Sequence, residues 1–544
     1  MKLSLTPKSP PGLVRSILRP SLLVGVLLLL PCAVFGNNQK ALRQAQKALR
    51  SGDFQRAEHL YREILQKDDG ELDAHLGLSK TLLKQLRLRE SFDQAARVIA
   101  ANPLSAEGHA VLGYALLATG DFRLSREEFR TALNIDDDQA MAVAGLAMID
   151  FYENRTGSAI EKLRRAVAMD RDEPDYIFSL GQAAARAERY KEAADAYERF
   201  LIIAPRTDAE RRARIRGLID FLRYLGNQSS LYNVSGPERT VLPFESIDNR
   251  PIVKVRLNGS KNLLRFVLDT GSGMSVLSEE TAHKLGLRPI ARGGLARAIG
   301  GGGRFEIVYG YLNSMDLGDI HIENVPVYVR HFYDLTTPVD GYLGIAALTR
   351  LVTAVDYGTR RMTLIRQRNR ADLSSLIDRV ATTGSGTNIV ARPGFEIPVR
   401  TTSSGFLSGE VTVEGVQKSM NFIIDTGATV SVISQRAAEL DSFAEFIQPD
   451  RMRVFGAAGV AEDVKMAMLP KVAIGDCIRE KINAAVLDLD PINETAGFQQ
   501  NGILGGNFLR HFRVVFDFQR GILRFEPIDT AKANSPGTQE PSGL

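Results

Sequence analysis

The chain has 544 residues, of which 44% are hydrophobic and 24% charged, an ordinary globular composition spread over too great a length for one core. Its net charge of +4 resides in Lys2, Lys8, Arg15 and Arg19; beyond residue 36, basic and acidic residues number 64 each, a balance that does not suggest a polyanion-binding surface, so nucleic acid is not an expected partner. Two cysteines, Cys32 and Cys477, exclude a disulfide scaffold and a Cys-based metal site, and neither a metal nor a cofactor is expected.

Residues 1–36 read as an export signal. Four positive charges precede the apolar run from Ser21 to Leu30, Pro31 interrupts it, and Val34, Phe35 and Gly36 resemble a signal-peptidase site. The 15 residues from Ser21 to Phe35 fall short of the roughly 20 that span a bilayer. The expectation is an exported chain, periplasmic or secreted; an uncleaved N-terminus serving as a membrane anchor is the alternative.

From Asn38 to Thr207 the sequence repeats every 34 residues. One column of small residues holds Ala45, Ser79, Gly113, Ala147 and Gly181, and a second holds Ala57, Ser91, Ser125, Ala159 and Ala193. Four positions later stand Tyr61, Ala95, Phe129, Leu163 and Tyr197, mostly bulky. Small residues let antiparallel helices approach, large ones fill the space beside them, and one pair cannot bury its own apolar face, so copies must stack. The pattern resembles the tetratricopeptide repeat in five copies, without the usual first-helix Trp. A solvating helix is expected to follow from Thr207-Asp208 through Leu225, ending at Gly226. The resemblance implies a concave surface that binds a protein partner.

Beyond Tyr232, short alternating apolar runs separated by Gly, Asn and Asp read as β structure. Ile252–Gly259 predicts a strand and turn, and Leu263–Leu268 a returning strand that delivers the chain into Asp269-Thr270-Gly271. The arrangement recurs: Val411–Gly415, then Met420–Ile424, then Asp425-Thr426-Gly427. In both copies the Asp follows the turn glycine by ten residues, and Ser-Val-aliphatic-Ser comes next, ending at Ser278 and Ser434. Gly341–Gly344 later corresponds to Gly502–Gly505, and Asp356 to Asp517, 87 and 92 residues after the first Asp of each copy. This is an internal duplication. One Asp-Thr-Gly is an ordinary turn; two in matched frames are not.

The duplicated units resemble the retropepsin-like aspartic peptidases, over roughly 241–366 and 393–528. The fold expected is therefore multidomain: an all-α tetratricopeptide solenoid with its capping helix over 38–226, then two all-β acid-protease units. Residues 367–392 read as a linker and 529–544 as a disordered tail. The resemblance implies an endopeptidase acting on protein or peptide substrates, with Asp269 and Asp425 as its catalytic pair. Two carboxyl groups in one site resist ionising together, so one stays protonated while the other acts as a base. It also implies that Thr270 and Thr426 cross-bond beneath the pair and that Gly271 and Gly427 give backbone N–H groups to it. Ser272 in one unit faces Ala428 in the other, and Asn507 of the second unit has Ala346 as its counterpart, so polar support around the first is expected to be weaker. Flap candidates are the runs holding Gly300, Gly301, Gly302 and Gly303, and Gly456 and Gly459. An intramolecular pseudo-dimer is the leading arrangement, a homo-oligomer its variant. No His-Glu-x-x-His, Gly-x-Ser-x-Gly or phosphate-loop motif competes. The rival reading is a non-catalytic scaffold that binds peptides through the β units and a partner through the repeats.

Overall fold

A computed structural model describes residues 30–207, 209–300, 304–333, 337–366 and 394–528. The apolar run before Leu30, Asp208 of the expected cap, the linker over 367–392 and the tail from 529 lie outside the described residues.

Eleven helices come first: α1 (Leu30–Arg50), α2 (Phe54–Lys67), α3 (Leu72–Lys84), α4 (Leu88–Ala101), α5 (Ala106–Thr119), α6 (Phe122–Ile135), α7 (Ala140–Tyr152), α8 (Thr156–Met169), α9 (Pro174–Arg186), α10 (Tyr190–Ile203) and α11 (Ala209–Leu225). α1 starts inside the segment read as a signal and runs unbroken past Gly36, with Pro31 in its first turn, where a missing N–H has no helical partner to lose. Among the described residues no helix is long and apolar enough to cross a membrane.

The 34-residue columns set the helix packing. Phe129 is fully buried with its ring against Gly113 and Gly145, where a β-carbon would collide with it, and the Tyr61 ring meets Gly77 in the same way. Where both small positions are serine they also bond across the pair: Ser79 Oγ donates to the Ser91 carbonyl at 2.6 Å and Ser91 Oγ to the Ser79 carbonyl at 2.8 Å. The turn within each helix pair needs one left-handed residue. Gly52 and Gly120 supply it, but Leu86, Asn154 and Glu188 adopt the same conformation at the equivalent positions, with φ between 59° and 60°. Asn tolerates this conformation, whereas at Leu86 and Glu188 helix pairing on both sides of the turn imposes one that the side chain disfavours.

The two ends of the array meet. The Gly52 turn abuts Pro205 and Thr207, and Lys84 on α3 pairs with Asp175 on α9. This ion pair ties the second repeat to the fifth.

In each β unit the central strand lies between the two strands that flank the Asp loop. Gly341–Leu343 runs parallel to Leu264–Leu268 and antiparallel to Ser275–Ser278; Gly502–Leu504 does the same with Met420–Ile424 and Ser431–Ser434. A six-stranded sheet then joins the units. The hairpin Leu351–Asp356/Arg361–Arg366 of unit 1 lies beside Phe512–Asp517/Ile522–Pro527 of unit 2, with Ala354 opposite Val515. Arg239–Ile247 extends one edge and Phe395–Pro398 the other. Each unit thus contributes three strands about an approximate twofold axis.

The array is fastened to both units. Phe498 of unit 2 lies edge-on to Phe122 (4.9 Å between centroids) and Tyr152 (5.1 Å), and Gln499 N donates to the Ala118 carbonyl at 2.8 Å. Arg186 stacks on Phe151 at 3.7 Å and donates to the Thr402 carbonyl. On unit 1, α11 packs against the strand Ala291–Arg297, with Gly217 on the Arg292 carbonyl and Phe221 stacked on Tyr309 at 4.3 Å.

Candidate active site

The site lies where the two Asp loops face one another. Each loop hangs from its central strand: Asp269 N donates to the Leu343 carbonyl and Asp425 N to the Leu504 carbonyl, both at 3.0 Å. Below the loops the threonines interlock. Thr270 N donates to Thr426 Oγ1 at 3.2 Å and Thr426 N to Thr270 Oγ1 at 3.0 Å, while each hydroxyl donates to the opposite strand, at Ile424 O (2.7 Å) and Leu268 O (2.6 Å). Both threonines are buried, so every one of these bonds is formed away from water.

This brace brings the two carboxyls together across the units, Asp425 against Gly271 and Asp269 against Gly427. Gly271 N donates to Asp269 Oδ1 at 3.0 Å and Gly427 N to Asp425 Oδ1 at 2.7 Å. The close approach requires both glycines: a β-carbon on Gly427 would sit 2.6 Å from Asp269 Oδ1, and one on Gly271 would strike the Asp425 carboxyl. Burial and the neighbouring Asp425 charge push Asp269 well above the ordinary carboxylate range. Burial also raises Asp425, but its bond with Asp269 and the N–H groups of Gly427, Gly271 and Ala428 pull it back. Both carboxyls are raised, so the pair resists carrying two negative charges at once.

Ser272 and Ala428 occupy matched positions with backbone roles: the Ser272 carbonyl accepts from Ile345 N at 2.9 Å and the Ala428 carbonyl from Gly506 N at 2.7 Å. The Asn507 asymmetry has a visible consequence. Asn507 Oδ1 accepts from Ser431 N (2.9 Å) and Ser431 Oγ (2.8 Å), a layer that Ala346 cannot form in unit 1. The inner layer is the same in both, with Ser275 Oγ accepting from Gly344 N and Ser431 Oγ from Gly505 N, each at 3.1 Å.

Above the pair, two hairpins meet tip to tip. The Ala291–Arg297/Arg304–Leu317 hairpin carries Ile299 and Gly300, and Ile447–Gly456/Gly459–Ile474 carries Ala457 and Ala458. Ala458 N donates to the Ile299 carbonyl at 3.3 Å, and Gly456 lies backbone to backbone against Gly300. Gly301, Gly302 and Gly303 lie outside the described residues.

Sequence reasoning missed Arg330. It ends the strand Ile320–Arg330, donates through Nη1 to the Ala457 carbonyl at 3.0 Å, and has the Phe332 and Tyr342 rings 5.5 Å from its guanidinium. Its charge acts on Asp269. Arg330 precedes Tyr342 by 12 residues, whereas its structural counterpart in unit 2, Leu487, precedes Ile503 by 16. The unequal loops hide the correspondence from any alignment anchored on the Asp motifs.

The aspartyl protease family pattern matches residues 253–347 and 409–508, and the tetratricopeptide repeat pattern matches 42–96, 76–140 and 145–207. No curated protein matches the chain. Among solved structures, the aspartic proteinase from Irpex lacteus is 14% identical, covering 54% of this chain and 100% of its own, with a TM-score of 0.35. A thermophilic tetratricopeptide-repeat protein of Thermus thermophilus is 20% identical, covering 34% of this chain and 98% of its own, with a TM-score of 0.30. The chain thus matches the tetratricopeptide repeat pattern in its helical region and the aspartyl protease family pattern in two later segments.

Proposed function

We propose that this protein is an exported aspartic endopeptidase whose single active site is formed within one chain by Asp269 and Asp425, with the helical repeats presenting protein partners or substrates to it. The observation that carries the reading is the facing pair of half-buried carboxyls, each against the other unit's loop glycine and held by reciprocal threonine bonds. Asp269 holds the shared proton and Asp425, supplied with N–H donors, is the ionised partner. Asp425 takes a proton from the attacking water as its oxygen bonds the peptide carbonyl carbon, and Asp269 gives its proton to the carbonyl oxygen. Collapse of the resulting diol breaks the C–N bond as the proton on Asp425 passes to the leaving nitrogen and a diol hydroxyl returns a proton to Asp269, yielding a carboxylic acid and an amine and restoring the pair. Export to the periplasm or beyond rests on the charge and apolar pattern of residues 1–36.

Digestion of a complex peptide library by the purified chain tests this. Cleavage per mole of chain is expected to stay constant on dilution, and one equivalent of a statine-type transition-state analogue per chain should abolish it. A specific rate that collapses on dilution would move the pairing between chains, and an intact library would remove the peptidase assignment.

The pH dependence follows from the pair titrating as a unit. Activity falls on the acid side as Asp425 gains a proton, and on the alkaline side as the shared proton leaves. Because Asp269 is raised, the alkaline limb of kcat/KM lies above the ordinary carboxylate range. Stability carries the same sign. A carboxyl raised on folding contributes stability that is complete below its unfolded value of about 3.9 and is lost as pH rises through its folded value. Thermal melts from pH 3 to 8 should decline across that window in the wild type, and Asp269→Asn should flatten the decline.

A further inference from the structure

The strand registers make the cleft unequal on its two sides. Ser278 pairs with Arg330 in unit 1, and its counterpart Ser434 pairs with Leu487 in unit 2; Val276 pairs with Tyr342, and its counterpart Val432 with Ile503. The approximate twofold axis therefore relates a cation with aromatic neighbours to an aliphatic pair. Leu487 and Ile503 are buried in an apolar cluster against which Ile299 of the opposite hairpin packs. A fold that doubled one unit has become charged on one side and apolar on the other.

Arg330 has more donors than it uses. A guanidinium presents five N–H groups in a fixed fork. Here one bond goes to the Ala457 carbonyl, and among the described residues no carboxylate forms an ion pair with it. Burial pushes its pKa down, which marks a cation short of compensating partners. The open fork lies between the hairpin tip and the Phe332 and Tyr342 rings, beside the Asp269 half of the pair.

We propose that Arg330 is a specificity residue that receives a carboxylate side chain of the substrate, so that the protein prefers peptides with Asp or Glu on one side of the cut and an aliphatic residue on the other. The proposal rests on the endopeptidase reading above. A substrate carboxylate would take the fork in the bidentate geometry that arginine favours, and Phe332 and Tyr342 would flank its methylenes. On the other side, Leu487 and Ile503 offer only apolar contact, which rejects charge.

The test is a proteome-derived peptide library digested by the full chain, with cleavage windows read by mass spectrometry for wild type, Arg330→Gln, Arg330→Glu and Asp269→Asn. Wild type is expected to enrich Asp and Glu at one position on one side of the cut. Arg330→Gln can still donate to Ala457 but carries no charge; the ratio of kcat/KM for acidic over matched neutral peptides should fall by roughly 30-fold or more. Arg330→Glu should shift the preference toward Lys and Arg. Cleavage that is lost in Asp269→Asn but shows no acidic preference in wild type would overturn the subsite alone. So would an Arg330→Gln variant with a displaced pH profile and an unchanged acidic preference, which would make Arg330 a tuner of the pair. Cleavage that survives in Asp269→Asn would overturn the endopeptidase reading and the subsite with it.

Discussion

Asn at position 269, or at position 425, is expected to lower kcat/KM by about 10⁴-fold or more, and the double variant should be no worse than either single one. The two carboxyls act as one group. Asp425 without a proton on Asp269 has no acid to meet the carbonyl oxygen, and Asp269 without an ionised Asp425 has no base for the water, so losing either removes the whole device. Asn keeps the shape of Asp and an oxygen for the Gly271 or Gly427 N–H, so the threonine interlock beneath should persist. Circular dichroism and the elution volume are expected to match wild type, which separates lost chemistry from lost fold. Single variants that retain more than a tenth of the wild-type rate would leave the pair without a catalytic role. Recovery of activity on mixing Asp269→Asn with Asp425→Asn would locate the working pair between chains, because each inactive chain would then lend its intact carboxyl to the other.

The parts of this molecule that were legible in its sequence are those where close packing or chemistry tolerates few residue types. The two small columns, from Ala45 to Gly181 and from Ala57 to Ala193, and the large residues beside them are legible because one side chain must fit where another is nearly absent, as Phe129 does against Gly113. Asp269 and Asp425 with their flanking Thr and Gly are legible because the pair, its brace and its donors admit little else. The turns were half legible. Gly52 and Gly120 announce a left-handed residue, whereas Leu86 and Glu188 adopt it under the constraint of the helices on each side. Contacts made between remote surfaces leave no periodic trace. The closure of the array through Lys84 and Asp175, the seating of Phe498 between Phe122 and Tyr152, and the position of α11 on the unit 1 hairpin depend on complementary shapes formed only after folding. Arg330 was hidden for a further reason. Its meaning is a difference between the two units, and only the paired strand registers show which residue it replaces.

The meeting of the two hairpins over the carboxyl pair gives the second large effect. Gly456→Val is expected to reduce kcat/KM by about 100-fold or more, with little change in melting temperature. A β-carbon at 456 would sit 2.7 Å from the Ile299 carbonyl carbon and 2.8 Å from Gly300 Cα, and would strike the Ile299 carbonyl oxygen. All three are backbone atoms, so no flexible side chain can swing aside. Gly300 is tied from its own side, with Gly456 Cα 2.7 Å from where its β-carbon would lie and φ at +94°, in the left-handed region. Separating the tips breaks the Ala458–Ile299 bond, withdraws Ile299 from the apolar wall of unit 2, and takes Ala457 away from Arg330. Water then reaches the pair and the cleft loses its roof, so both substrate binding and the chemical step should suffer. The α11 contact to the other hairpin and the six-stranded sheet between the units are untouched, which is why stability should hold. Gly157→Ala is the matched control, because a β-carbon there meets nothing within 4 Å. A Gly456→Val protein that turns over peptides within twofold of wild type would mean that the tips need not touch during catalysis, and that the roof over Asp269 and Asp425 is formed by substrate alone.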